Sequence, residues 1–232
     1  MKSCNAFTVR RFSTILVVLS LGVLVFSCAD HNFSPIFKVD PGGPVYTRTT
    51  PDNLLEFLAD AYEREDIDAY SEALHPYFEF EFTVDIADSL GLPRESPWWG
   101  KEEDIQSTRN MFDDPDVIGI EMHLDPFGAG SAWEDCWRQF IWGDPPETTL
   151  IQGLCQVFEP GIKVHIQEPG EELWIFWVHE SLLDIMVTPD PEEEGLWVVL
   201  RIKETRKYPV IHPQGEATVA SSWGSIKAMF RE

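Results

Sequence analysis

Two amphipathic stretches predict a pair of helices early in the chain. Thr50-Pro51-Asp52 supplies a capping hydroxyl, a proline suited to the first helical position and an acid near the positive end of the helix dipole. Apolar residues then recur at helical spacing and form one face, at Leu54, Leu58, Ala61 and Tyr62. A second helix is predicted over 67–74, where Ile67, Tyr70 and Leu74 share one side.

The hydrophobic period changes to two directly after these helices. Phe78, Phe80, Phe82 and Val84 alternate with polar residues up to Asp85, which predicts a half-buried strand. A further helix is predicted after the turn around Pro97, over 101–112. The later strands are predicted over 117–124, 162–167, 173–180 joined to 183–187 as one long or bent strand, and 196–205. Residues 125–148 are poorly periodic and are interpreted as an inserted loop or irregular hairpin.

This order of elements predicts an α+β domain. Because helices come first and antiparallel strands follow, the N-terminal helices are expected to pack on one face of a curved sheet. The domain is predicted over 50–232, a length of about 180 residues that suits one sizeable core. Residues 28–49 contain several Pro and Gly and little periodicity, so they are interpreted as a flexible tether.

The N-terminal residues have the parts of an export signal. Lys2, Arg10 and Arg11 precede an apolar stretch over 15–26 that is shorter than the roughly 20 residues needed to cross a bilayer. Val25-Phe26-Ser27-Cys28 resembles the lipobox of bacterial lipoproteins. The resemblance implies a signal peptide over 1–27 and lipidation at Cys28, and the alternative is a single transmembrane anchor. Since Ala29 rather than Asp follows the cysteine, an outer-membrane position facing the periplasm or the cell surface is expected.

The net charge limits the expected classes of binding partner, and the cysteine content limits the possible disulfides and metal sites. The formal net charge of −23 makes this an acidic protein, which excludes nucleic acid as an expected partner. The charge serves either solubility or the attraction of cationic ligands. After the signal, Cys136 and Cys155 are the cysteines left besides Cys28, and whether they pair is open. No sequence motif indicates a metal or another cofactor, so none is expected.

Several local patterns together resemble the nuclear transport factor 2-like superfamily, which includes SnoaL-like proteins. The residues that carry the resemblance are the helix pair 51–62 and 66–74, Tyr77-Phe78-Glu79-Phe80, Trp98-Trp99, Glu102-Glu103, Asn110-Met111-Phe112 and the segment 222–227. The closest resemblance is to uncharacterised lipoproteins of this type. It implies a cone-like α+β barrel with a pocket between the helices and the concave side of the sheet. It also implies a homodimer through the sheet.

The implied pocket has five candidate lining residues, namely Tyr62, His123, Trp174, Trp177 and His179. A catalytic site in it would need a carboxylate base opposite a donor such as a tyrosine. Glu103, Glu121, Glu180 and Asp184 lie near apolar residues, but no paired placement singles one out. Three of the nine tryptophans fall in the irregular insertion, where they are expected to line a mouth or contact a neighbour: Trp133, Trp137 and Trp142.

These observations favour a non-enzymatic envelope lipoprotein. The membrane is the expected partner through the lipid anchor, and the domain is expected to bind a small apolar or amphipathic ligand or an envelope protein. The alternative is a SnoaL-type isomerase or hydrolase that acts on a small apolar substrate in the cone. The two differ in whether a buried carboxylate or His faces a second polar group around a shared substrate atom.

Overall fold

The computed structural model describes residues 46–128, 132–142, 147–178, 181–206 and 218–231. All of them belong to one unit of the chain, Phe37–Glu232. The predicted signal peptide, Cys28, most of the predicted tether and His179 lie outside the described residues. The bounds of signal, tether and domain therefore stay predictions.

Both predicted N-terminal helices form, and a side-chain cap starts each of them. Helix α1 spans Pro51–Glu63, and the Thr50 hydroxyl accepts a hydrogen bond from the Asn53 N–H. Helix α2 spans Ile67–Glu72, and the Asp66 carboxylate accepts from the Ala69 N–H at 3.0 Å. The predicted apolar face of α1 is buried, whereas α2 ends before the predicted 67–74, because Leu74 belongs to the next strand, and Ile67 is only partly buried.

The next segment departs from the prediction at one point. Strand β1 spans Leu74–Glu81, and the alternating phenylalanines point inward as expected. The predicted strand was too long, because Val84 and Asp85 begin helix α3, Val84–Leu90. The Phe82 N–H bonds the Pro97 carbonyl, which extends the β1 ladder by one residue, and Pro97 has no N–H to continue it. Strand β2, Trp98–Gly100, and helix α4, Lys101–Phe112, follow, and α4 has the predicted bounds.

The rest of the described chain is mainly β structure. Its elements are β3 Val117–Pro126, β4 Glu134–Trp142, β5 Glu147–Ile166, β6 Trp174–Val178, β7 Ser181–Pro189, β8 Trp197–Arg206, β9 Thr218–Ser221 and helix α5 Trp223–Met229. The predicted long strand over 173–187 is instead two strands, because β6 pairs with β5 and β9 whereas β7 pairs with β5 and β8. The insertion is a regular hairpin of β4 and the first half of β5.

The long strand β5 organises the sheet. Its first half pairs with β4 and β7, and its second half pairs with β3 and β6. The main path runs β2-β1-β8-β7-β5-β6-β9, and among the described strands only the β1–β8 and β6–β9 pairs are parallel. The α+β prediction, with N-terminal helices on a strongly curved and mostly antiparallel sheet, is confirmed.

Two apolar clusters lie on opposite faces of this sheet. The main core joins the helices to the concave face and includes Leu58, Phe80, Ile162 and Ile185. A smaller cluster of Phe140, Met186 and Leu200 lies on the outer face. Beside it, Cys136 and Cys155 form a disulfide between β4 and β5, with Cα atoms 5.8 Å apart. Among the described residues, no helix is both long and apolar enough to span a bilayer.

A buried histidine sits where β1 begins. His75 is 5% exposed, and its Nδ1 accepts a hydrogen bond from the Tyr77 N–H at 2.9 Å. Burial lowers the pKa of His75 to about 4, with Asp190 opposing the shift and Lys101 reinforcing it. The neutral imidazole is therefore the form that the fold accepts.

The pKa of His75 predicts acid sensitivity. The unfolded chain binds this proton near pH 6.5 and the folded chain only near pH 4, so full stability is present above pH 6.5 and falls between those values. The loss from this residue should reach up to about 3 kcal/mol. Chemical unfolding of the wild type and His75→Gln across that range measures it. The stability gap between the two should change with pH, and parallel profiles would refute the assignment.

Candidate functional site

The interior of the cone contains a cluster of polar side chains from four helices. Tyr62 comes from α1, Tyr70 from α2, Asp104 and Thr108 from α4, and Lys227 from α5. Each of these side chains is at most 1% exposed. Amphipathic spacing explains the contribution of α4, because Asp104, Ser107, Thr108 and Met111 follow the i, i+3, i+4, i+7 pattern of one helix face.

An ion pair forms the centre of the cluster. Lys227 Nζ lies 2.5 Å from Asp104 Oδ1 and donates to the Tyr70 hydroxyl at 3.0 Å. The Tyr70 hydroxyl in turn donates to Asp104 Oδ2. The Tyr62 hydroxyl lies 3.5 Å from Thr108 Oγ1. Each Asp104 oxygen therefore has a donor within the protein.

Aromatic rings surround the ammonium group. Lys227 Nζ lies 5.1 Å from the ring centroid of Phe80 and 5.7 Å from that of Trp223. Rings attract a cation through their electron-rich faces, and the attraction is larger where water is absent. Burial lowers the pKa of Lys227, but the interactions with Asp104 and Tyr62 together outweigh it and the net shift is upward. Burial also raises the pKa of Tyr70 well above its usual range, so the phenol stays protonated.

Helix α5 places Lys227 in the interior of the cone. The buried Glu204 carboxylate accepts from the Trp223 N–H at 2.7 Å and the Gly224 N–H at 3.1 Å. Burial raises the pKa of Glu204, while these two donors oppose the shift. A Cβ atom on Gly224 would lie 2.6 Å from a Phe82 ring carbon, so only glycine allows the helix to dock this closely. Ser107 Oγ also donates to the Lys227 carbonyl at 2.6 Å.

The arrangement binds α5 rather than a substrate. A general base must reach a substrate proton, yet Asp104 has no exposed surface and is held by Lys227 and Tyr70. The ring of Trp223 packs 5.2 Å from that of Tyr62 in the space between the helices and the sheet. In the described part of the chain, no group of three or more His, Cys, Asp and Glu side chains is arranged to hold a metal ion.

A groove of about 510 Å³ lies outside the cone, between α1 and β3. Leu55, Ala59, Met122, Leu124 and Phe158 are the apolar residues that line it. Its acidic residues are Asp52, Glu56, Asp60 and Glu63, and no Lys or Arg is among its described lining. Three of these acids have partners, since Asp52 accepts from Trp133 Nε1, Asp60 pairs with Arg64, and Glu63 accepts from the Met122 N–H.

The structure does not gather the sequence-predicted site residues into one pocket. Tyr62 lies inside the cone, whereas His123 lines the α1–β3 groove with its side chain 61% exposed. Trp174 and Trp177 are 45% and 41% exposed on β6. Strand alternation had left open which side of this segment faces inward. The position of His179 is outside the described residues.

The carboxylates considered as bases are also dispersed. Glu121 lies on the outer face of the sheet, 2.7 Å from Lys163 Nζ and 3.1 Å from His165 Nε2, and the Lys163 hydrogen bond is the main reason that its pKa is lowered. Asp184 pairs with Arg201 at 2.7 Å on that face. Glu103 is exposed on α4. Glu180 is outside the described residues.

Sequence reasoning missed Tyr70, Asp104 and Lys227 as one cluster. Tyr70 was assigned to a buried face, but Asp104 and Lys227 are charged residues, which in most proteins face water. The available signal was the face of α4 on which Asp104, Ser107 and Thr108 lead to Met111. That face could equally have been the solvent face, and only the tertiary contact with α5 distinguishes the two.

The buried ion pair predicts a specific pattern of stability changes. Asp104→Asn would leave the Lys227 ammonium buried without a countercharge, which should cost about 3–5 kcal/mol of unfolding free energy. The double variant Asp104→Leu/Lys227→Met should recover much of this loss, because it removes both charges. Urea unfolding of the full chain measures both variants. Asp88→Asn, in the exposed pair with Arg94, is the matched control and should change stability much less.

If the double variant were as unstable as Asp104→Asn alone, the ion pair would not be the source of the effect.

Among known proteins, similarity to this chain was found only in solved structures. No family model matches the sequence, and no curated protein matches it. The chain is similar to Kfla4162 from Kribbella flavida, with 10% identity, 68% of this chain and 88% of that chain covered, and a TM-score of 0.42. It is also similar to a nuclear transport factor 2-like superfamily protein from Salmonella enterica, with 10% identity, 70% of this chain and 92% of that chain covered, and a TM-score of 0.40. A further similar structure is that of ActVI-ORFA from Streptomyces coelicolor, with 9% identity, 66% of this chain and 92% of that chain covered, and a TM-score of 0.39.

Proposed function

We propose that this chain is a lipid-anchored envelope protein whose domain is a non-catalytic binding module. The observation that carries the proposal is the described interior of the cone, where Trp223 and Lys227 of α5 are buried and Lys227 bonds the polar groups of Asp104 and Tyr70. A substrate would have to displace a helix that is fixed by an ion pair and by the Glu204 hydrogen bonds. Binding therefore takes place on the surface of the domain.

The anchor is proposed at Cys28, with the signal removed at residue 27 and the protein held at the outer membrane. Cys28→Ala should abolish incorporation of a labelled palmitate analogue and release the protein from the membrane fraction, because Cys28 carries the thiol that the lipidation reaction uses. Metabolic labelling followed by fractionation tests this. Cys4→Ala, in the part of the signal that is removed, is the control and should keep both label and location. If the Cys28→Ala variant were still labelled, the proposal that Cys28 carries the lipid anchor would be contradicted.

The α1–β3 groove is the proposed binding surface for an amphipathic cation. Its floor offers apolar contact through Leu55 and Phe158, and the charged side chains in its described lining are all carboxylates. Glu56 is exposed and has the fewest competing contacts among the groove acids. A ligand with a short apolar body and a cationic head would satisfy both parts of the groove.

A pair of probes of equal chain length tests the groove. Octyltrimethylammonium should bind the full chain in phosphatidylcholine nanodiscs, whereas octyl sulfate should not, in calorimetric titrations corrected with empty nanodiscs. Glu56→Lys should weaken the binding about fivefold, which corresponds to about 1 kcal/mol for one exposed charge. Glu95→Lys makes the same charge change in a turn away from the groove and should alter the affinity less than about twofold.

Equal binding of the two probes, or equal effects of the two variants, would contradict the proposal that the α1–β3 groove binds an amphipathic cation.

A second candidate function is a SnoaL-type isomerase or hydrolase that works in the cone. The observation that favours it is the buried Asp104–Tyr70 pair, a carboxylate in an aromatic environment beside a protonated phenol. It requires α5 to leave so that Asp104 is released from Lys227. An activity of this kind would survive Glu56→Lys and be lost in Asp104→Asn, which distinguishes it from binding in the groove.

A further inference from the structure

The β4–β5 hairpin has two faces of different character. Cys136 and Phe140 of β4, with Ile151 and Cys155 of β5, point to the outer-face cluster around Met186. Strand alternation and the register place the other set on the opposite face: Asp135, Trp137 and Gln139 of β4, and Leu150, Gln152 and Leu154 of β5. The first face is used for packing, so the hairpin cannot turn to bury the second.

The second face exposes large side chains next to a groove. Trp137 and Leu150 are each 58% exposed. Trp137 lies directly opposite Gln152, and Gln152 lines a groove of about 430 Å³ together with Asp135, Thr188 and Trp197. That volume is within the range of about 300–1,000 Å³ that small-ligand sites occupy. Asp135 is the one charged residue among the described lining of this groove, although the chain carries a net charge of −23.

The hairpin backbone that carries the exposed Trp137 is constrained by a disulfide and a hydrogen bond. The Cys136–Cys155 disulfide joins the two strands at the residue next to Trp137. The Thr188 hydroxyl donates to the Gln152 carbonyl at 2.9 Å and ties the hairpin to β7. A constrained backbone beneath the indole lowers the conformational entropy that a ligand has to remove, which favours binding.

We propose that this hairpin groove binds a neutral oligosaccharide. The face of a sugar ring presents weakly positive C–H groups that match the electron-rich face of the Trp137 indole. Sugar hydroxyls both donate and accept, and the Gln152 and Gln139 amides can do the same. The Asp135 carboxylate adds an acceptor that forms a stronger, charge-assisted bond to a hydroxyl. Trp197, on the far side of the groove, offers a second indole.

The composition of the groove favours a sugar over other ligands. A cationic ligand is better matched by the carboxylates of the α1–β3 groove, and an anion would be repelled by Asp135. A lipid chain would need a continuous apolar lining, whereas Gln152, Thr188 and Asp135 interrupt this one. The remaining competitor is a second copy of the chain that covers Trp137 and Leu150.

The test uses the full chain in phosphatidylcholine nanodiscs, because common detergents carry sugar head groups. Cellohexaose, maltohexaose and chitohexaose are titrated separately by calorimetry, and at least one should bind. Trp137→Ala should weaken that binding at least about tenfold, as expected for an aromatic residue beside the groove that stacks on the ligand. Gln152→Ala should weaken it about fivefold through the loss of hydrogen bonds. Trp174→Ala removes another exposed tryptophan, on β6, and should change affinity less than about twofold.

Far-UV circular dichroism and urea unfolding verify that Trp137→Ala folds, which its exposure leads us to expect. The proposal would be overturned if none of the three sugars bound, or if Trp137→Ala and Trp174→Ala had equal effects. A dimer in sedimentation that Trp137→Ala abolishes, without sugar binding, would assign the face to a second copy of the chain and also overturn it. None of these outcomes depends on the cationic probe, so the proposals for the hairpin groove and for the α1–β3 groove are tested independently.

Discussion

The ion pair between Lys227 and Asp104 is the contact on which the interior of this domain depends. Two opposite charges without exposed surface would each be costly alone, and their hydrogen bonds with Tyr70 make the burial tolerable. The pair also joins the last helix to α4, which lies more than a hundred residues earlier in the chain. A wholly apolar contact could have supplied as much stability. The ion pair also fixes the orientation of α5, because its hydrogen bonds form in one orientation of that helix.

Helix α5 occupies part of the interior of the cone. Trp223 and Lys227 are buried between the helices and the sheet, while Gly224 and Glu204 fix the approach of their helix. The described surface includes one groove that combines apolar residues with several carboxylates and another that combines Trp197 with Gln152 and a single carboxylate. Their chemistry, rather than the fold, separates a cationic ligand from a neutral one.

Much of the architecture could be predicted because it follows from local patterns. The cap at Thr50 and the spacing of Leu54 and Leu58 define α1, and the alternation from Phe78 onward defines β1. The failures occurred where a tertiary contact overrides the pattern. Val84 continues the alternation but begins a helix, because the ladder of β1 ends at the Phe82–Pro97 hydrogen bond, where Pro97 has no N–H to donate. The sequence over 125–148 predicts an inserted loop or irregular hairpin, and the regular pairing of β4 with β5 was missed because large apolar residues such as Trp137 and Leu150 lie on the exposed face and obscure the alternation.

The sequence by itself therefore determined α1, α2 and α4, most strands and the α+β class, since these depend on residues that are close along the chain. It also set the acidic charge and the presence of candidate residues such as Tyr62 and His123. Only the tertiary structure decided which candidates meet, because that depends on how β5 bends and where α5 docks. It placed Tyr62 beside a buried ion pair and left His123 on an open groove. Charged residues such as Asp104 and Lys227 could be recognised as interior only once both partners were in place, since burial of either charge alone is unfavourable.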